Sequence, residues 1–274
     1  VPAVGAGRTG KYIEAIGEAT KLITDRPVFA GIIGPFSLAA RLLDVTEIMM
    51  DCYDDPDMVH VVLEKSTAFL IEYAKAYKAA GASGIVMAEP VSGLLSPTLE
   101  EEFSSPYVKK IVDAVQDDNF LVIYHNCGDN VPRMLDSILS TGAAAYHFGN
   151  AIDMKTMIGK LPADTVVMGN IDPAGVLCFG TPESVRKETQ ELLESCAKYP
   201  NFIVSSGCDI PPMTPFAGRS FNVTRAGIHA DGLMKDAEIY TIFDTEKLLN
   251  RPATVEISKT SGTAGIAYWI NTNY

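Results

Sequence analysis

Two periods alternate along the chain. Stretches with an apolar residue every three or four positions predict amphipathic helices. Short, wholly apolar runs closed by glycine, proline or a polar residue predict buried strands. Thr9 to Thr24 has helical spacing in Tyr12, Ile13, Ile16, Ala19, Leu22 and Ile23, and Asp25-Arg26-Pro27 ends it. Val28 to Ile33 is the first apolar run, closed by Gly34-Pro35, and Ser37 to Leu43, Glu47 to Tyr53 and Asp57 to Ala80 follow as helices. A strand over Gly84 to Pro90, tipped with the Glu89 carboxylate, and a helix over Leu99 to Val115 come next, then the run from Leu121 to His125 and Cys127 and a helix over Pro132 to Ser140. Ala143 to Asn150 and Thr165 to Asp172 are further strands, trailed by helices over Met154 to Lys160 and Pro182 to Lys198, and Phe202 to Ser206 is the last strand.

Strand and helix thus alternate six times, and short apolar strands separated by helices imply a parallel sheet with right-handed crossovers. The strand tips hold Gly34, Glu89, His125 and Cys127, His147, Asn170 and Asp172, and Cys208 with Asp209. Polar residues gathered at one end of every strand favour the mouth of a (β/α)8 TIM-type barrel over an open doubly wound sheet. An open sheet of that kind usually carries a glycine-rich phosphate turn, and no G-x-G-x-x-G follows any of these strands. Six units are two short of a closed barrel. Because the chain opens at Val1-Pro2-Ala3-Val4, which reads like the middle of a protein, the expectation is a barrel truncated at its N-terminus.

Composition narrows the partners. Of 274 residues 47% are hydrophobic and 20% charged, enough for a sizeable core, and the net charge of -12 disfavours nucleic acid and anionic membranes. Five cysteines without framework spacing fit a reducing, cytoplasmic setting. No apolar run is long enough to span a bilayer.

The candidate chemistry sits at two strand ends. Side chains alternate along a strand, so His125 and Cys127 point the same way, as half of a tetrahedral zinc site. A lone His-x-Cys pair is a weak signal, since a free cysteine is ordinary core filling. Cys208 strengthens it by ending another strand at the same relative place; brought together, the three leave a fourth position open, as in a catalytic zinc site. Glu89, His147, Asn170 and Asp172 would line the mouth, with Glu89 or His147 alternatively completing the metal shell. Asp209 would orient a ligand or cap the next turn. For each of these, satisfying exposed backbone at a strand end is the plainer role. His60, on the long helix, reads as a satisfied or solvent-facing histidine.

Residues 1–215 resemble the uroporphyrinogen decarboxylase superfamily, and within it the methylcobamide methyltransferase branch. The resemblance is carried by Gly31 to Leu38, Tyr124 to Gly128, Met168-Gly169-Asn170-Ile171-Asp172-Pro173 and Ser206-Gly207-Cys208-Asp209-Ile210-Pro211. It implies an eight-stranded barrel in which His125, Cys127 and Cys208 bind zinc. It also implies transfer of a methyl group from a methylated corrinoid on a partner protein to a thiol such as coenzyme M, with another thiol or a folate as further acceptors. Decarboxylases of the superfamily keep key arginine and aspartate residues in a section ahead of Val1, which disfavours that activity here. Residues 216–274 instead resemble the post-barrel region of re-citrate synthase and isopropylmalate synthase, through Gly218 to Gly232, Ile239 to Asp244 and Gly265 to Trp269. His229 belongs to that region, whose companion metal-binding residues are absent, so no condensation chemistry is expected of it.

The expected function is therefore a zinc-dependent methyltransferase. The rivals are a decarboxylase and a non-catalytic fragment that docks a corrinoid protein. A six-stranded sheet would leave open edges, which a second copy of the chain would cover.

Overall fold

The structure is a computed structural model that describes residues 2–209, 223–224, 246, 252–257 and 261–273. Contacts divide the chain into two compact units, Val1–Asp172 with Pro182–Cys208, and Pro173–Thr181 with Asp209–Tyr274.

The first unit is built on six parallel strands in sequence order: β1 (Phe29–Ile33), β2 (Gly84–Ala88), β3 (Leu121–Asn126), β4 (Ala145–Phe148), β5 (Val166–Ile171) and β6 (Phe202–Ser206). Helices α1 (Thr9–Leu22), α2 (Pro35–Leu43), α3 (Val45–Asp54), α4 (Pro56–Ala79), α5 (Pro97–Phe103), α6 (Ser105–Val115), α7 (Leu135–Ser140), α8 (Met154–Met157) and α9 (Pro182–Cys196) lie before and between them. Among the described residues β1 pairs only with β2 and β6 only with β5. Every predicted strand is present.

Several helices start earlier than periodicity alone predicts, for one reason. Proline has no N–H to lose at the first helical position and its φ suits the turn. Gly34-Pro35, Asp55-Pro56 and Ser96-Pro97 therefore open α2, α4 and α5, with the Asp55 and Ser96 side chains accepting from the N–H of Met58 and Leu99. The helix expected over Leu99 to Val115 is two helices. Pro106 inside one continuous helix would remove a hydrogen bond and clash with the preceding turn, so the chain breaks at Ser104 and restarts as α6.

The register decides which side chains share a face. Ile33, Ala88, His125, His147, Met168 and Ile203 fall in one row across the sheet. The alternating row, with Ile32, Met87, Tyr124, Tyr146 and Val167, is buried. Helix α4 packs on β1 and β2, and α9 on β5 and β6. Phe36, Ile48, Leu63, Leu95, Phe103 and Tyr107 form one buried cluster among α2 to α6; burial of each such side chain contributes about 1.5–3 kcal/mol.

In the second unit, β7 (Val223–Thr224) and β8 (Thr254–Val255) pair in parallel, α10 spans Thr263–Asn273, and Pro173–Cys178 forms a π-helical turn. His229 and most of the segment from Gly218 to Gly232 lie outside the described residues.

One buried carboxyl makes stability depend on pH. Glu100 is fully enclosed; its Oε1 is 2.6 Å from the Ser105 hydroxyl, which also lies 3.0 Å from the Ser137 carbonyl. One hydroxyl proton serves one acceptor at a time, and Glu100 Oε2 has no hydrogen-bond partner among the described residues. A protonated Glu100 resolves the conflict by donating to Ser105, freeing Ser105 to donate to Ser137. Burial accordingly raises the Glu100 pKa above 4.5, against the pull of Ser105 and Ser137. The folded state then holds the proton more tightly than the unfolded state. This contribution is full at pH below 4.5 and is lost as pH climbs through the folded-state value. Glu100→Gln is expected to flatten the fall in stability from acid to neutral pH, measured as urea midpoints across that range; an unchanged slope would show that folding does not raise the Glu100 pKa.

Candidate metal centre

The centre is assembled at the C-terminal ends of β3 and β6. His125 is the fifth residue of β3 and Cys127 lies one residue past its end, so the two-residue period turns both to the same face. Cys208 follows the end of β6 by two residues. One ligating atom from each of His125, Cys127 and Cys208 lies within 4.8 Å of the other two, with His125 buried and both cysteines partly exposed. His125 Nε2 is 3.5 Å from Cys208 Sγ. Zinc bond lengths of about 2.0 Å to nitrogen and 2.3 Å to sulfur at a tetrahedral angle demand a ligand separation of about 3.5 Å. The donor set therefore fits a tetrahedral divalent metal with one position left for another ligand.

The tautomer of His125 follows from its other nitrogen. Nδ1 lies 3.1 Å from the carbonyl oxygen of His147. A carbonyl only accepts, so Nδ1 carries the proton and the Nε2 lone pair faces Cys208. His147 lies beside His125 in the same row, with ring centroids 4.6 Å apart, and its Nε2 donates to the Ser206 carbonyl at 2.6 Å.

Close backbone packing brings the tips together. A Cβ on Gly149 would stand 2.6 Å from both Cα and Cβ of Cys127, and one on Gly207 would stand 2.6 Å from the Asn150 nitrogen. The tip of β4, Gly149-Asn150, is thus held between the two cysteine-bearing tips, and only glycine permits that spacing. Gly207 N–H donates to the Ile171 carbonyl at 2.7 Å, and the Ser206 hydroxyl donates to the Cys208 carbonyl at 2.8 Å.

The remaining predicted site residues fall in different places. Glu89, expected along an open rim, is fully buried. It lies one residue past Ala88, which shares the His125 row, so its side chain turns to the opposite face beneath α2. There its carboxylate accepts from the N–H of Phe36 at 3.2 Å and of Ser37 at 2.6 Å, an anion at a helix N-terminus. Burial nevertheless wins over those hydrogen bonds and pushes its pKa up to about 7. Asn170 lies on the His125 face, but its amide donates to the carbonyls of Gly149 at 3.0 Å and Ile152 at 2.6 Å, bracing the loop after β4. Asp172 is half-buried just past β5, and Asp209 is exposed and belongs to the second unit. His60 has its Nδ1 2.7 Å from the Tyr107 hydroxyl and stacks on Phe103. Cys52 and Cys196 are buried, and burial pushes the Cys52 thiol up to about 11, which makes both core fillers.

A polar network behind the sheet escaped the sequence reading. The Asn126 amide donates to Ser92 Oγ at 3.0 Å and Tyr124 Oη at 3.2 Å, and Gly128 N–H donates to Asn126 Oδ1 at 2.9 Å. The available signal was an asparagine between His125 and Cys127, on the face where the rest of β3 is apolar or aromatic.

Residues 2–223 match the family model described as uroporphyrinogen decarboxylase (URO-D), and the chain belongs to that family. Its parallel α/β sheet is of the TIM-barrel type. Methylcobamide:CoM methyltransferase MtbA of Methanosarcina mazei is 32% identical over 218 residues, 77% of this chain and 61% of the relative. A solved structure described as a methyltransferase from Methanosarcina mazei superposes with a TM-score of 0.70 at 28% identity, covering 78% of this chain and 64% of that one. The chain thus spans less than two-thirds of the length of these relatives. Uroporphyrinogen decarboxylase of Prochlorococcus marinus is 26% identical over 212 residues, 74% of this chain and 58% of that protein. Citrate (Re)-synthase of Clostridium kluyveri is 65% identical over 65 residues, 24% of this chain and 14% of that protein, so two unrelated resemblances meet in one chain.

Gly149→Ala would force a methyl group into the Cys127 backbone. It is expected to destabilise the fold by about 1–3 kcal/mol in denaturant unfolding. An unchanged midpoint would mean that the β3 and β4 tips are not held at this spacing.

Proposed function

We propose that this chain is the zinc-binding part of an enzyme that moves a methyl group from a methylated corrinoid, carried on a partner protein, to a thiol such as coenzyme M. The observation that carries this reading is the convergence of His125, Cys127 and Cys208, whose ligating atoms lie within 4.8 Å of one another, in a chain similar to a methylcobamide:CoM methyltransferase. When bound, the metal would supply the Lewis-acid stabilisation that keeps an acceptor thiol deprotonated at neutral pH. The residues of the chain supply the rest. His125 presents its Nε2 lone pair because Nδ1–H is held by the His147 carbonyl, and the two cysteines contribute thiolate charge that balances a divalent cation. The thiol proton leaves to solvent, and the thiolate sulfur forms a bond to the methyl carbon as the cobalt–carbon bond breaks. The electron pair of that bond stays on cobalt, which goes formally from Co(III) to Co(I).

In this reading Asp172 borders the acceptor, Asn170 braces the β4 loop, and Glu89 anchors α2. Asp209 closes the barrel portion at 1–215, ahead of a C-terminal segment, residues 216–274, that is separate in origin. Decarboxylation, the rival that the similarity to uroporphyrinogen decarboxylases raises, needs no metal, and a His-Cys-Cys set has no use in it. Activity that survives a chelator would favour decarboxylation, and proton release on adding coenzyme M to the metal-loaded protein would favour thiol activation over mere docking. The purified chain is expected to hold about one zinc per polypeptide. Cys208→Ser should retain only a small fraction of it after dialysis, and Cys52→Ser should leave it unchanged; equal zinc in the Cys208→Ser and wild-type proteins would sink the proposal.

A further inference from the structure

We infer that His147 is a positioning residue for the metal centre, not one of its ligands. It works by tying the strand end that carries His125 to the strand end that carries Cys208. The inference rests on the metal-binding reading above and assigns the residue a different part from lining the mouth or completing the shell.

Two hydrogen bonds fix the tautomers of the paired imidazoles. The main-chain carbonyl of His147 accepts from His125 Nδ1 at 3.1 Å, and its ring Nε2 lies 2.6 Å from the Ser206 carbonyl. Neither carbonyl can donate, so His125 is protonated on Nδ1 and His147 on Nε2. The nitrogen that His147 turns toward β6 therefore carries hydrogen and has no lone pair to give a cation. Its Nε2 also lies 3.0 Å from the Ser205 hydroxyl, which itself donates to the Ser206 carbonyl.

Topology makes this bond informative. β4 and β6 are not neighbours, because β5 pairs with both. The imidazole of His147 crosses β5 to hold a carbonyl two residues before Cys208, while its own backbone holds the ring of His125 one strand away. One residue thus sets the orientation of one donor and the height of another. The ring also lies against that of His125, tilted by 36° with centroids 4.6 Å apart, which limits rotation of both. Outer groups that orient a ligand are typically worth about 10- to 100-fold in metal affinity.

The test uses the full chain and Co(II) as the probe. Glutamine places an amide N–H where imidazole Nε2–H stood, whereas methionine has similar bulk and no donor. His147→Gln is expected to bind Co(II) within a few-fold of wild type. His147→Met is expected to bind about 10- to 100-fold more weakly, with the thiolate-to-cobalt charge-transfer intensity per bound ion unchanged because both cysteines still coordinate. The inference is overturned if His147→Met binds like wild type, if His147→Gln is as weak as His147→Met, or if the ligand-field bands of His147→Met show a lost nitrogen. Should His147→Met fail to fold, imidazole nitrogen shifts of the metal-free wild type decide the matter. They must show His147 protonated on Nε2 and His125 on Nδ1, and any other assignment overturns the inference. A wild-type chain that takes up no Co(II) with thiolate bands removes the metal reading itself, a result distinct from wild type and variants binding alike.

Discussion

The parallel hydrogen-bond ladder, running without a break from β1 to β6, is the constraint on which the candidate centre depends. A slip of one residue anywhere in it would turn every later side chain to the other face. The observed register sets Ala88, His125 and His147 in one row. It thereby puts two imidazoles next to each other and turns Glu89, one position farther along, to the helix side. A three-residue donor set drawn from β3 and β6 is possible because β4 and β5, between them, hold the same phase.

Register alone brings strand ends level; it does not bring sulfurs within coordinating distance. That last approach is made by missing side chains. Gly149 admits the backbone of Cys127 and Gly207 admits that of Asn150, so the tips close on one another like stacked plates. Hydrogen bonds then hold what sterics allow. Asn170 spends its amide on the loop after β4, and His147 spends its ring on the end of β6. Polar residues at the mouth of this sheet are for the most part engaged with backbone. This is the expected state at the end of a parallel strand, where carbonyls and N–H groups run out of ladder partners.

Burial divides residues of the same chemical type. Cys52 is a core filler whose thiol is held neutral by desolvation, whereas Cys127 and Cys208 reach partial exposure beside an imidazole. Glu89 and Glu100 are both enclosed, but only Glu89 meets helix N–H groups, and even there the cost of desolvation dominates. Low dielectric surroundings make burial decisive: both carboxyls hold a proton more tightly than in water, and the helix N–H groups at Glu89 offset only part of that cost.

The sequence by itself determined the order and type of the elements, because periods of two and 3.6 are local properties of side-chain direction. It also marked His125, Cys127 and Cys208, since each sits at the end of an apolar run where a strand must stop. Helix starts at Pro35, Pro56 and Pro97 were legible in principle, from the proline rather than from the apolar spacing. Only the tertiary structure decided that Glu89 is buried under α2, that Asn170 braces a loop, and that His147 reaches across β5 to Ser206. Those outcomes depend on register between strands dozens of residues apart and on which backbone group is left without a partner. No local pattern of hydrophobic and polar positions carries either quantity.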